Sequence, residues 1–240
     1  MSRPTLTSKQ IALVTVFAAL QAVLCSLPYT ISVGVSGQIT LGVIGVPIIG
    51  ILLGPFLGGL TVLIGSIIGA FVNPAGAIFG FFSVLPPTLG AMGAGFCMQK
   101  KGYVPGAIIL ASLVAFYAHP FGRESLMYPW LDIIAMITAF ASLIPMVVWA
   151  SHNPNIKRFS LGIPIFIFVG TLTDHMFGSA LAIWYFNPIL TPEIWSFVTF
   201  VYPLERIVVV ILATLVTLPL YYSLQRAELL VYSKPLNAGH

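Results

Sequence analysis

Between Lys9 and Lys100 the chain contains no aspartate, glutamate, lysine or arginine. A soluble domain spends roughly a quarter of its residues on these four types to keep its surface in water, so a charge-free run of this length excludes a water-facing fold. The solvent it implies is lipid. Acids are scarce throughout: there are six, all after residue 120. Cysteine is scarcer still, with Cys25 and Cys97 both in apolar segments, where a thiol acts as a small hydrophobe. No Cys/His spacing points to zinc, and no metal or cofactor is expected. The chain also lacks a Gly-x-x-x-x-Gly-Lys-Ser/Thr phosphate loop, so it has no ATP site of that kind. A signal peptide is excluded for the charge-free run, since its apolar part is only about 7 to 15 residues. The Leu24 that precedes Cys25 argues against lipoprotein cleavage, and the first helix is expected to be retained.

What is present is apolar: 58% of residues are hydrophobic, and the mean hydropathy is +1.03. The expectation is one all-α, polytopic transmembrane bundle over residues 1–240, embedded in the cell membrane. A spanning helix needs about 20 mostly apolar residues, and fewer when neighbours bury it. That rule predicts eight helices, near 8–28, 39–53, 56–72, 76–98, 104–121, 130–150, 160–186 and 198–224, with 225–240 as a cytoplasmic tail. Six to eight spans fit if the shorter segments do not all cross. The second and third are divided only by Gly54-Pro55. Leu41 to Val72 as one helix would run about 48 Å, well beyond a hydrocarbon core of about 30 Å, so two short spans fit better.

Loop charge tests that layout, because cytoplasmic loops are enriched in Lys and Arg. With both termini inside, the cytoplasmic side holds Arg3, Lys9, Lys100, Lys101, Lys157, Arg158, Arg226 and Lys234, and the outer loops hold only Arg123. The basic pI of about 9.2 is then explained by topology and anionic lipid, with no nucleic-acid partner needed.

Lipid gives no hydrophobic force between helices, so close packing relies on small residues. The uncharged half, 8–98, is rich in them at four-residue spacing: Ala18 and Ala22; Gly50, Gly54 and Gly58; Gly65 and Gly69; Gly76 and Gly80; Gly90 and Ala94. These serve either packing within the chain or docking of a partner. The stretch Gly45–Pro74, with Gly54-Pro-Phe-Leu-Gly58 at its centre, resembles the Gly-Pro-x-x-Gly signature of the substrate-binding S components of energy-coupling factor transporters. Ala18-x-x-x-Ala22 resembles the motif with which those proteins dock on their transmembrane coupling subunit, and Tyr202–Tyr221 resembles their closing helix. The resemblance covers about the first hundred residues and the last thirty. It implies a subunit that captures a vitamin or similar small molecule from outside, without enzymatic activity of its own. Its partners would be a coupling subunit and separate ATPases, with Ala18, Ala22, Gly54, Gly58, Gly65 and Gly69 as candidate docking residues. S components typically have six spans, so the eight counted here are a departure that falls in about 100–190.

The later half, 104–224, carries the ionisable groups. Charges within a span are expensive, and they usually face a cavity or each other. Asp174 and His175 are adjacent near the predicted midplane; they point about 100° apart and cannot both face one neighbour. Asp132, Glu205, Arg206 and His119 lie toward the outer side, and Glu205 or Arg206 can reach Asp132 or Asp174 across helices. Each also has a structural reading, as an interhelical bond that holds the bundle. An Arg beside one or two acids suits a zwitterionic or hydrogen-bonding ligand. Tyr117, Tyr128, Trp130, Trp184, Tyr185, Trp195 and Tyr202 cluster at the same depth, as an interfacial belt or as walls for a planar ring. Pro86-Pro87 is expected to break the fourth helix in mid-membrane, and Asn73 to line the entrance. The candidate ligand residues are therefore Asn73, His119, Asp132, Asp174, His175, Trp184, Tyr202, Glu205 and Arg206. Two other functions compete. One is a self-contained secondary transporter using Asp174 and His175 as a proton relay, although no internal symmetry supports it. The other is an intramembrane enzyme, for which no nucleophile motif or zinc-binding His pair is present.

Overall fold

The computed structural model describes residues 7–27, 30–33, 37–141, 156–227 and 229–230, with backbone only for 30–33, 37–40 and 156–161. Arg3, Trp149, Glu228, Tyr232, Lys234 and the end of the predicted 130–150 helix lie outside the described residues. The fold is an all-α bundle. Its helices are α1 (Ser8–Ser26), α2 (Gly42–Leu53), α3 (Pro55–Val72), α4 (Leu85–Met98), α5 (Tyr103–Ala118), the short α6 (Pro120–Glu124), α7 (Trp130–Ala141), α8 (Ile156–Tyr185) and α9 (Pro192–Arg226). Among the described residues, five segments are long and apolar enough to cross a bilayer: α1, α3, Gly80–Met98, Gly162–Tyr185 and α9. The apolar α2, α5 and α7 are shorter; at 12 residues, α2 is only about 18 Å long.

The division at Gly54 is a true chain reversal. Gly54 has φ 79°, a conformation that costs glycine nothing, and Pro55 then starts α3 at the position where a missing N–H does no harm. The reversal brings Gly58 back against Gly50, where a Cβ would lie 2.9 Å from the Gly50 Cα. Helix directions follow from such contacts. Gly65 and Gly69 of α3 meet the turns at Ala18 and Ala22 in the same order, so α1 and α3 are parallel. Gly50 meets Ala91 while Gly54 meets Gly95, so α2 and α4 are parallel. Gly90 meets Gly170 while Pro86 meets Gly178, so α4 and α8 are antiparallel. These are the directions expected of helices that cross in alternation.

Two expectations are corrected. An antiparallel hairpin, β1 (Thr30–Val33) and β2 (Gly37–Thr40), joins α1 to α2 in the register Thr30↔Thr40 to Val33↔Gly37. The second helix therefore starts at Gly42 and not near 39; Thr30-Ile-Ser-Val and Gly37-Gln-Ile-Thr are β-branched, alternating runs better suited to strands. The fourth helix starts at Leu85 and not at 76. Before it lie the 3-10 turns Pro74–Gly76 and Gly80–Val84, and Pro86 and Pro87 begin α4 instead of breaking it, in the first turn where a helix has no N–H partners to lose.

One core cluster runs through α2, α4 and the middle of α8, with Val46, Ile49, Leu53, Ala91 and Phe166 buried. A second joins α5, α7, α8 and α9 through Phe116, Tyr128, Leu131, Trp195 and Tyr202. Outward faces stay apolar: Val16, Leu20 and Val23 on α1, and Phe200, Leu204, Ile211 and Leu215 on α9, are exposed. Such continuous apolar exposure suits a lipid-facing surface.

Candidate functional site

A cavity of about 790 Å³ lies at the seam between the two halves. On one side α1 and α3 supply Gln21, Ser66 and Asn73; on the other α8 and α9 supply Asp174, His175, Ser179, Trp195 and Arg206. The irregular 73–84 segment forms part of its wall through Gly76, Phe79 and Ser83. Non-helical backbone at membrane depth is tolerated where it lines a cavity, which accounts for a break in helical structure at this place.

His175 is held from three directions. Its Nδ1 faces both oxygens of Asp132, at 3.0 and 3.2 Å, and Asp132 is fully buried. Its Nε2 lies 3.2 Å from the Tyr128 hydroxyl, which also meets Ser179 Oγ at 2.9 Å. Its ring stacks on Tyr202 with centroids 4.4 Å apart and planes within 9°. Tyr202 is fixed in turn by the Leu131 backbone N–H, which donates to its hydroxyl at 3.1 Å. The adjacent Asp174 points elsewhere, as the 100° helical step requires, toward α4. There a Cβ on Gly90 would lie 2.7 Å from the Asp174 Cβ, so the absence of a side chain at Gly90 makes room for the stem of Asp174. No described residue donates a hydrogen bond to Asp174. Arg206 is 6% exposed and borders the cavity. Its Nη2 sits 3.5 Å from Glu205 Oε1, while Nε and Nη1 have no hydrogen-bond partner.

Of the predicted ligand residues, Asn73, Asp174, His175 and Arg206 line this cavity. Asp132, Tyr202 and Glu205 stand behind them as partners of His175 and Arg206. The expected cross-helix pairing of Arg206 with Asp132 or Asp174 is corrected: within salt-bridge distance, Arg206 meets its own neighbour Glu205, and Asp132 meets His175. His119 and Trp184 are not at the cavity. His119 caps α6, its Nδ1 accepting the Phe121 N–H at 3.2 Å. Trp184 lies edge-on to the His119 ring and donates from its indole to the Ala115 carbonyl at 3.0 Å, near the end of α5.

The candidate docking residues are engaged within the chain. Ala18 and Ala22 are buried, and α3 covers them: a Cβ on Gly65 would lie 2.7 Å from the Ala18 carbonyl, and one on Gly69 would collide with Cys25. Gly54 forms the reversal and Gly58 packs on Gly50. The small-residue ridge of α1 is thus an internal seam and not an open surface.

Gln21 and Ser66 were not anticipated. Gln21 donates to the Gly42 carbonyl at 3.2 Å and to Cys25 Sγ at 3.4 Å, while its Oε1 and Ser66 Oγ are buried with no partner. The available signal was Gln21 itself, an amide in the middle of an otherwise apolar span.

No family model matches the chain, and no solved structure matches it. It is 33% identical over 140 residues to an uncharacterized protein of Methanocaldococcus jannaschii, a match that covers 58% of this chain and 46% of the relative. The matched stretch thus spans less than half of that protein's length.

Proposed function

We propose that this protein is a membrane-embedded substrate-capture subunit of an energy-coupling factor importer in the cell membrane. It takes a small molecule into the seam cavity and relies on a coupling subunit and separate ATPases for energy. The observation that carries the reading is Arg206: a buried guanidinium at the wall of a ligand-sized cavity with unpartnered N–H donors. Buried donors without partners are costly, so a wall of this kind suits a ligand that supplies acceptors. The Gly54-Pro-Phe-Leu-Gly58 stretch and the closing helix add the likeness to S components. Because α3 covers Ala18 and Ala22, a coupling subunit would meet another part of the bundle, and the open apolar face of α1 at Val16, Leu20 and Val23 is the adjacent candidate.

A second reading, a self-contained secondary transporter, is favoured by the hydrogen-bonded chain from Asp132 through His175 and Tyr128 to Ser179, a relay that reaches the cavity. The test is purification from rich medium with mass spectrometry of retained small molecules, together with co-expression of coupling and ATPase subunits. The capture reading expects a retained compound and copurification of the coupling subunit. Uptake by the protein alone in liposomes, with no copurification, would overturn it in favour of the relay.

A further inference from the structure

We infer that the seam cavity takes a small organic monocation, seated on Asp174 and presenting an oxygen acceptor to Arg206. The inference rests on the reading of the cavity as a ligand site and specifies its substrate class. It follows from charge and proton accounting among the described residues.

The starting point is Ser179, whose hydroxyl has one hydrogen and donates it to the His175 carbonyl at 2.9 Å. Its contact with Tyr128 therefore uses the tyrosine hydrogen, since a hydroxyl donates once. Tyr128 then has none left for His175, so His175 Nε2 must be the donor in that contact. Nδ1 faces two carboxylate oxygens, so one further proton lies between Nδ1 and Asp132. Whichever atom holds it, the Asp132–His175 pair is neutral as a unit. Glu205 and Arg206, 3.5 Å apart, also cancel. One charged group at the cavity wall remains uncompensated: the Asp174 carboxylate.

A carboxylate without a counter-charge inside a lipid-embedded bundle calls for a cation or a proton. The cavity decides for an organic cation. Its volume of about 790 Å³ is within the range of small-molecule sites, of order 300–1,000 Å³. Phe79 and Phe186 border it, giving aromatic faces that attract organic cations. Arg206 borders the same cavity and asks for an oxygen acceptor on the molecule, and Gln21 and Ser66 bring polar side chains to the opposite wall. Without such a ligand, a proton on Asp174 meets the same balance.

The test uses the full chain in nanodiscs and four probes with one aromatic body: phenethylamine, phenylalaninamide, 3-phenylpropanamide and 3-phenylpropanoate. Thermal unfolding and equilibrium dialysis report binding. Both cations are expected to bind at millimolar concentration or below, phenylalaninamide more tightly because its amide oxygen meets Arg206. Asp174→Asn should weaken both cations by about tenfold or more while leaving the neutral amide unchanged. Arg206→Gln should remove the advantage of phenylalaninamide over phenethylamine. The unliganded melting temperature of the Asp174→Asn variant should match that of the parent, because without a ligand Asp174 carries a proton and both side chains are neutral. Should either variant fail to fold, the order of the four probes on the parent protein decides. Equal or tighter binding of the propanoate or the neutral amide would overturn the charge assignment while leaving a ligand site in place. Saturation by sodium or potassium chloride alone would overturn the organic-cation assignment. If no probe binds and no molecule copurifies, the inference and the capture reading both fall.

Discussion

The two halves of the bundle solve one problem in opposite ways. Helices in lipid gain no hydrophobic free energy from meeting, so they must either approach closely or bond. The half from α1 to α4 approaches closely: backbone lies on backbone wherever Gly50 meets Ala91, Gly58 meets Gly50, and Gly95 meets Gly54 and Pro55. The half from α5 to α9 bonds through rings and polar groups: Tyr128 and Tyr202 pack on His175, Trp195 packs on Tyr128, and Asp132 anchors the histidine. The first half is therefore intolerant of added volume, and the second of lost polarity. The halves meet at the α4–α8 crossing, where Gly90 and Gly170 approach and Asp174 occupies the next turn. The cavity opens beside that crossing.

The largest effect is expected where volume is added against backbone. A Cβ on Gly50 would collide with the Ala91 carbonyl, and backbone cannot swing aside. Gly50→Ala should cost about 3 kcal/mol or prevent folding, as measured by thermal melting in detergent. At Gly59 the obstacle is the flexible Met92 side chain, so Gly59→Ala should melt within a few degrees of the parent. Equal losses at both sites would mean that α2 and α4 are less closely apposed than the backbone contacts require.

The next effect belongs to the other half. Asp132→Ala leaves His175 Nδ1 unpaired and should cost about 2 kcal/mol, whereas Asp132→Asn retains an acceptor and should cost less. A loss for Asp132→Ala near 5 kcal/mol, as expected when a buried charge is stranded, would show that His175 is cationic and Asp132 anionic and that the proton cannot leave. Comparing the two substitutions by melting temperature thus separates a neutral pair from a fixed ion pair.

Ala22→Leu separates packing from docking. Ala22 is buried beneath α3, so the larger side chain should destabilise the isolated subunit by about 1–3 kcal/mol. Val16, on the open face, should accept leucine with little change. If Ala22→Leu melts like the parent and still blocks association with a coupling subunit, the ridge is a docking surface after all.

The halves also differ in how much of each was legible. Helix positions were readable because spans must be apolar and loops carry charge, and the Gly54-Pro55 reversal because a single helix there would be too long for the bilayer. The glycine spacing was visible too, but not what each glycine faces: Gly65 and a partner-facing glycine look alike until α1 is placed against α3. Asp174 and Arg206 stood out because isolated charges in a span demand an explanation. His119 and Trp184 misled because a polar or aromatic residue at the right depth does not reveal direction, and both turn to cap chain ends of α5 and α6. The 73–84 turns were hidden by their own apolarity, since Phe81 and Phe82 read as helix to a hydropathy window.

The smallest effect tests most narrowly how the second half is held. Pro203 sits inside α9 and has no N–H, so the Thr199 carbonyl one turn earlier loses its helical partner. The Trp130 indole N–H donates to that carbonyl at 3.4 Å, bonding α7 to the place where the backbone ladder of α9 lacks a bond. Trp130→Phe retains most of the ring contact and removes the donor, and it should cost about 1 kcal/mol at most for so long a bond. Pro203→Ala restores a backbone N–H that can satisfy Thr199 from within α9. In the Pro203→Ala background, Trp130→Phe should therefore be nearly neutral, and a double-mutant cycle on melting free energies measures the difference. If the two changes simply add, the tryptophan holds α7 by its ring alone, and bonding would explain less of the second half than the Asp132–His175 network implies.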